Sequence, residues 1–140
     1  MPKRLLILKA GLVVWVLWHL GFGYLSTFDP QLGADVVGWS TPDGWNDELL
    51  AMSKQYGMVM FLLAGVYLIM LLDPLRYLSL IWVAVGEQVL GIAYGFYIFA
   101  QLGQLTTTQL TLQFAVNAVL IVGMVLLWFG LRRLPQTQPA

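Results

Sequence analysis

The chain has 140 residues, of which 59 % are hydrophobic and only 10 % are charged, and its mean hydropathy is +0.78. Soluble domains carry about 25 % charged residues, so this composition excludes a water-soluble globular domain. The chain has no cysteine, which excludes disulfides and thiolate chemistry, and its seven basic and seven acidic residues form no basic patch that would bind nucleic acid.

Four apolar segments account for most of the chain. They run over residues 5–25, 49–72, 77–100 and 110–131, and each has about the 20 residues that a helix needs to cross about 30 Å of hydrocarbon. They predict an all-α membrane protein, a bundle of four transmembrane helices forming one domain over residues 1–134, followed by a polar tail at 135–140. The first segment is interpreted as a retained helix, because no small-x-small cleavage site follows its apolar run.

The order of charges along the chain predicts the topology. Basic residues lie before or within the start of the first segment, in the turn after the second and at the end of the fourth, whereas the segment 26–48 carries five acids. By the positive-inside rule both termini face the cytoplasm. The predicted location is the bacterial cytoplasmic membrane, or a thylakoid membrane if the source is photosynthetic, with membrane lipids as the surroundings.

His19 lies near the outer end of the first helix, among Trp15, Trp18 and Phe22. An imidazole there could ligate a haem or a chlorophyll, whose planar ring the aromatic neighbours would suit. The alternatives are a hydrogen-bonded histidine at the membrane interface or a group that responds to pH on the outer side. With one histidine and no cysteine, the sequence predicts no metal site built from protein ligands.

The outer loop, residues 26–48, is rich in Pro, Gly, Asp and Asn, which predicts turns rather than a crossing. Trp39 and Trp45 fit the membrane interface, and residues 40–44 are typical of a turn in which Gly44 takes a positive φ. The loop is either an ordered lid or a flexible segment anchored by the two tryptophans. Asn46 or Asp47 is expected to cap the second helix, in which Lys54 either extends to the headgroups or faces a substrate.

Only residues 73–76 connect the second and third helices, which makes these helices antiparallel neighbours. Asp73 is the expected N-cap of the third helix, with Pro74 in its first turn. The connection 101–109 is polar and uncharged, and Thr106, Thr107 or Thr108 is expected to cap the fourth helix.

Glu87 lies near the middle of the third helix, where a carboxylate facing lipid would be costly, so it is a candidate functional site. Gly91, Tyr94 and Gly95 follow on the same stripe, and the two glycines allow another helix to approach closely. On the fourth helix Gln113 and Asn117 are one turn apart. These amides either bridge helices, with Glu87 as a candidate partner, or line a polar pocket together with Glu87, Tyr94 and Lys54.

The order of features from Phe28-Asp29-Pro30 through Asn46-Asp47-Glu48-Leu49 to Gln55-Tyr56-Gly57 resembles small bacterial four-helix membrane proteins of the DoxX-like and related families. The resemblance implies an architecture and no mechanism. The leading functional hypothesis is a non-enzymatic accessory or scaffold subunit of a larger membrane complex, with an energy-transducing complex as one candidate. Such a subunit contacts other subunits or itself. The alternative is a small transporter or ligand-binding bundle centred on Glu87.

Overall fold

The computed structural model describes residues 2–38, 44–102 and 106–134, and every regular element within these ranges is a helix. The five α-helices are α1 (Lys3–Phe28), α2 (Pro30–Val37), α3 (Asp47–Leu72), α4 (Ile81–Tyr97) and α5 (Thr107–Leu131). A 3-10 turn at Leu78–Leu80 precedes α4 and a π-helical turn at Ile98–Leu102 follows it.

Four helices are long and apolar enough to cross a membrane: α1, α3, α5 and the continuous helical stretch Leu78–Gln101 that contains α4. This confirms the prediction of an all-α chain with four candidate spans. The side of the membrane on which each terminus lies stays a prediction from the order of charges.

The outer loop contains a helix that the sequence analysis did not predict. Asp29 begins it, because its carboxylate accepts a hydrogen bond from the backbone N–H of Leu32 at 3.2 Å, and Pro30 occupies the first helical position. The helix α2 ends at Gly38, whose φ of +69° closes the last turn in the left-handed conformation. The prediction of turns alone was therefore wrong for residues 30–37, because an Asp-Pro pair also forms the N-cap and first position of a helix.

The remainder of the outer loop is described only in part. Gly44 has the predicted positive φ, +77°. The other residues of the predicted turn at 40–44, Trp39 and the polar tail at 135–140 lie outside the described residues.

Contacts divide the chain into two compact units, one of residues 9–72 and one of residues 1–8 with 73–140. Each unit is described by itself, and the single four-helix domain stays a prediction. In the first of these units the main contact is between α1 and α3. Their buried residues recur every three or four positions and so form one face on each helix: Leu12, Val16, His19, Gly23 and Ser26 on α1, and Gly57, Met60, Ala64, Tyr67 and Met70 on α3.

The α1 and α3 helices are antiparallel and approach most closely at glycine. Ser53 Oγ donates a hydrogen bond to the carbonyl of Ser26 at 2.9 Å near one end of the pair, and the rings of Trp15 and Tyr67 meet edge to face further along. Between these contacts, a Cβ placed on Gly57 would lie 2.8 Å from the carbonyl oxygen of Gly23 and would collide with Thr27 Oγ1. Only glycine at position 57 permits this separation.

In the second unit α4 and α5 are also antiparallel. Trp82 and Trp128 are in contact near one end, with ring centroids 5.4 Å apart, and Phe96 and Phe114 are in contact near the other, at 6.3 Å. The same unit contains the start of α1. There the side chain of Arg4 lies against Gly130, close to the end of α5.

Two of the three predicted caps are present. Asn46, rather than Asp47, accepts the N–H of Leu49 at 2.8 Å and caps α3. The prediction that Asp73 caps the third helix was wrong, because residues 73–77 form a turn in which Asp73 accepts the N–H of Arg76 at 3.3 Å. The residues that precede the 3-10 segment and α4 are Tyr77 and Leu80. Thr106 caps α5 in a reciprocal capping box with Gln109.

We expect Gly57→Ala to lower the free energy of unfolding by about 1–3 kcal/mol, since the added methyl group would meet the backbone of α1. The matched control is Gly65→Ala on the same helix, where a Cβ meets nothing within 4 Å. Thermal unfolding in detergent micelles measures both variants. Equal effects of the two substitutions would contradict the close approach.

We expect Thr106→Ala to cost about 0.5–2 kcal/mol by removing the cap of α5. The loss should appear as faster amide hydrogen exchange in the first turn of α5. Thr108→Ala, two positions inside the helix, should leave that exchange nearly unchanged. Equal exchange in Thr106→Ala and the unsubstituted chain would show that the capping box does not hold this end.

Candidate functional site

The polar residues of the α4–α5 contact meet at two glycines. Gln113 Nε2 donates a hydrogen bond to the backbone carbonyl of Gly91 at 3.0 Å. A Cβ placed on Gly95 would lie 2.8–3.0 Å from the amide group of Gln113, and one placed on Gly91 would lie 3.7–3.9 Å from the amide of Asn117. The missing side chain at Gly95 therefore leaves the space that the amide of Gln113 occupies, whereas the amide of Asn117 would be in ordinary van der Waals contact with a Cβ at Gly91.

This arrangement makes Gln113 a bridge between two helices. An N–H buried in a membrane span needs an acceptor from protein, because hydrocarbon provides none. The acceptor here is a carbonyl that already belongs to the hydrogen-bond ladder of α4, and carbonyl oxygens have a second lone pair for this purpose. The hydrogen bond fixes the rotation of α5 about its own axis relative to α4.

Glu87 is half-buried on α4, one turn before Gly91. The next residue, Gln88, is more deeply buried, with 6 % of its surface exposed. Gln88 is absent from the predicted site residues, because a carboxylate in an apolar helix carries a larger desolvation cost than an amide and is the stronger signal in the sequence. An amide directly after that carboxylate, inside a predicted span, was the signal that could have found it.

Two members of the predicted polar set lie elsewhere. Tyr94 is 62 % exposed, and its ring stacks on that of Tyr97 with centroids 6.4 Å apart. Lys54 is exposed on α3, in the unit formed by residues 9–72. Gln113 and Asn117 thus come together with the glycines Gly91 and Gly95, whereas the side chains of Tyr94 and Lys54 face the outside of the chain.

His19 is fully buried within the span. Its Nδ1 lies 2.8 Å from the carbonyl oxygen of Trp15, one turn earlier on α1. Because a carbonyl can only accept, Nδ1 carries the hydrogen and donates it. The imidazole also lies 5.0 Å from the ring of Tyr67 and 6.0 Å from that of Trp15, measured between centroids. His19 is part of the packed aromatic cluster between α1 and α3.

The predicted haem or chlorophyll does not fit at His19 in this packing. An axial ligand must present one ring nitrogen to a large planar group lying beside it, whereas His19 has no exposed surface. Within the described ranges, no group of three or more His, Cys, Asp or Glu side chains is placed to hold a metal ion.

Comparison with protein-family models, with curated proteins and with solved structures finds no match to this chain. The resemblance to DoxX-like proteins therefore stays a prediction.

A double-mutant cycle tests the contact between Gln113 and Gly95. Gln113→Ala should cost about 0.6 kcal/mol, the average for such hydrogen bonds in membrane proteins. Gly95→Ala should destabilise the unsubstituted chain, because its methyl group would displace the amide of Gln113. In the Gln113→Ala background the same change should become neutral or stabilising, since alanine favours a helix over glycine by about 1 kcal/mol.

Unfolding free energies of the four proteins in micelles give the coupling between the two positions. A coupling of zero would mean that Gln113 and Gly95 do not touch. Gly86→Ala on α4 is the control, because a Cβ there meets nothing within 4 Å and its effect should not depend on residue 113.

Proposed function

We propose that the chain is a non-enzymatic accessory or scaffold subunit that binds other membrane proteins through its helices, in a larger complex of the bacterial cytoplasmic membrane. The observation that carries the proposal is the exposure of α5. Only 6 % of its most apolar stretch is buried, against 22–28 % in the other three candidate spans. The helix packs on α4 along one side and meets Arg4 of α1 near its end, while many of its remaining side chains are exposed.

One side of α5, here called the outer face, is defined by Leu112, Val116, Val119 and Gly123. These residues are spaced by four, three and four positions, so they lie in one row along the helix. The three larger side chains are 65 %, 50 % and 71 % exposed. They lie away from the row of Gln113 and Asn117 that meets α4.

Glycines in the spans also support a protein partner rather than lipid alone. A glycine inside a helix costs about 1 kcal/mol relative to alanine and needs a reason in packing. Some glycines have one within the chain, as at positions 57 and 95. A Cβ on Gly123, in the outer face, would meet nothing within 4 Å, and the same is true of four other glycines in the spans: Gly11, Gly21, Gly65 and Gly86. A helix of another subunit could approach closely at such positions.

The polar side chains of the spans favour a structural role over a ligand site. Gln113 bonds to a carbonyl of α4, Ser53 to a carbonyl of α1, and His19 to a carbonyl of its own helix. The rival function, a transporter lined by Glu87 with Tyr94, Gln113 and Asn117, needs these side chains to face one cavity. The exposure of Tyr94 and the engagement of Gln113 do not favour it.

Crosslinking in native membranes tests the proposal. Because the chain has no cysteine, Val119→Cys provides a single reactive position on the outer face. A short thiol-reactive photocrosslinker of the benzophenone type inserts into C–H bonds and needs no amine on the partner. It should join the chain to one membrane protein, identified by mass spectrometry, and Gly123→Leu should reduce that product severalfold. Visible absorption of the same purified sample examines the haem or pigment prediction independently.

The matched control is Leu62→Cys on α3, which is equally exposed at 70 % and should not give the same product at comparable yield. If Val119→Cys yields no protein adduct, or yields only a dimer of this chain, the accessory role is wrong. If Leu62→Cys yields the same product, the contact is not made by the outer face.

A further inference from the structure

Several arginines converge on the last turn of α5. The side chain of Arg4, from the start of α1, lies across Gly130, where an added Cβ would be 2.9 Å from its Cδ. Arg132 follows two residues later and Arg133 three residues later, both within one helical turn of Gly130. These three arginines are here called the basic end.

Aromatic rings hold one of these guanidinium groups in place. The guanidinium carbon of Arg132 lies 4.7 Å from the ring centroid of Trp128 and 4.4 Å from that of Phe129. Cation–π contacts of this kind orient a guanidinium while leaving its N–H groups available to other acceptors. Gly130 has a similar consequence for Arg4, because the absence of a side chain lets the arginine lie flat on the helix.

No carboxylate in the described part of the chain forms an ion pair with the basic end. In sequence, the unit to which it belongs contains only two acidic residues, Asp73 and Glu87, against five basic ones, a net charge of +3. The last carbonyls of α5 offset part of the positive charge, since a helix C-terminus carries about half a negative charge. Neighbouring guanidinium groups without an acid repel one another, and a bound anion would relieve that repulsion.

The position of the basic end along α5 indicates which class of anion it would bind. It lies where an apolar candidate span ends, next to tryptophan and phenylalanine, which is the level of lipid headgroups. Phe129 and Val122, further back along α5 on the side towards Arg133, are 46 % and 57 % exposed and offer apolar surface for acyl chains. A free phosphate would use the arginines but not this apolar surface.

We propose that the basic end binds the headgroup phosphate of an anionic glycerophospholipid, with Arg4 and Arg133 donating to its oxygens and Arg132 held beside them on its aromatic rings. Guanidinium groups suit this ligand because they can donate two parallel hydrogen bonds to one phosphate. The acyl chains lie along Val122 and Phe129, which are outside the row of residues that defines the outer face. The site does not depend on the proposed function.

The test is lipid binding by the purified full chain. After delipidation in a neutral detergent, the protein is titrated with cardiolipin or phosphatidylglycerol and, in parallel, with phosphatidylcholine, and bound lipid is counted by native mass spectrometry. We expect one anionic lipid to be retained per chain at concentrations at which phosphatidylcholine is not. Arg4→Gln with Arg133→Gln should weaken retention by about fivefold for each arginine removed.

Two further variants separate a site from general attraction between charges. Lys54→Gln removes one charge from the other unit and should leave retention unchanged. Arg4→Lys with Arg133→Lys keeps both charges but loses the forked geometry, so it should also weaken binding, and it remains informative if the glutamine variant does not fold. Retention equal to that of the unsubstituted chain in the lysine variant would overturn the proposal.

A competition experiment distinguishes the phosphate of a lipid headgroup from a free phosphate ion. Inorganic phosphate at the same molar concentration should not displace the bound lipid. Displacement would assign the basic end to a free anion and overturn the lipid. Equal retention of phosphatidylcholine, or equal loss of binding in Lys54→Gln, would likewise show that the arginines form no specific headgroup site.

Discussion

Packing of one helix against a glycine of its neighbour is the interaction on which both units of this chain depend. In a membrane, burying a leucine against another helix gains little, because lipid tails are as apolar as leucine. Association then rests on dispersion between closely packed atoms and on hydrogen bonds between helices. Gly57 meets α1 at Gly23 and Thr27, and Gly95 makes room for the amide of Gln113 on α5. Each contact brings a polar atom against a helix surface that has no side chain.

Thr27 shows what packing against a glycine means for a polar side chain of the neighbouring helix. Its Oγ1 is buried without a conventional hydrogen-bond partner among the described residues, and it occupies the space that a side chain at position 57 would fill. An oxygen placed against the Cα hydrogens of a glycine makes a weak C–H···O contact, worth about 0.5–1 kcal/mol. This is a modest compensation for a buried hydroxyl, and it is available only while residue 57 remains glycine.

The classical hydrogen bonds act alongside these contacts. Ser53 and Gln113 each donate to a backbone carbonyl of a neighbouring helix, at Ser26 and at Gly91. Such bonds contribute about 0.6 kcal/mol on average, which is less than a packing defect costs. They therefore determine register and rotation more than stability. An apolar pair of helices could slide or turn with little change in energy, whereas one amide bonded to one carbonyl selects a single arrangement.

The sequence predicts what depends on one helix at a time. Apolar length predicts four spans, and local capping chemistry predicts the caps at Asn46 and Thr106. The helix α2 was missed because proline, glycine and aspartate were interpreted as turn residues, although Asp29 and Pro30 in that order also begin a helix. The same local residues are compatible with a turn and with a short helix. The packing of the buried Gly33 and Ala34 favours the helix.

Contacts between helices are less predictable. At about 100° of rotation per residue, Tyr94, Gly91 and Gly95 span a stripe about 100° wide on α4. The sequence analysis treated this stripe as one packing face. The contact with α5 uses the half that contains the glycines, and Tyr94 at the other edge is left outside. The contact between Gly23 and Gly57 is also not predictable from the sequence. The spacing of residues within one helix does not tell which residue of the other helix lies opposite.

The net charge of the chain is zero, but its acidic and basic residues are unequally distributed between the two units. Residues 9–72 carry five acids and two bases, and the remainder of the chain carries the reverse excess. Positive charge at the end of α5 is favoured there by the helix dipole and by the aromatic rings around Arg132. In the proposed lipid site, anionic headgroups would favour it further. Because the basic end lies at the terminus of α5 and the outer face lies along its middle, a bound lipid would leave the outer face open. A lipid bound at the basic end would keep α5 at a constant depth in the bilayer. The valine and leucine side chains of the outer face would then meet the same residues of a partner protein in every complex.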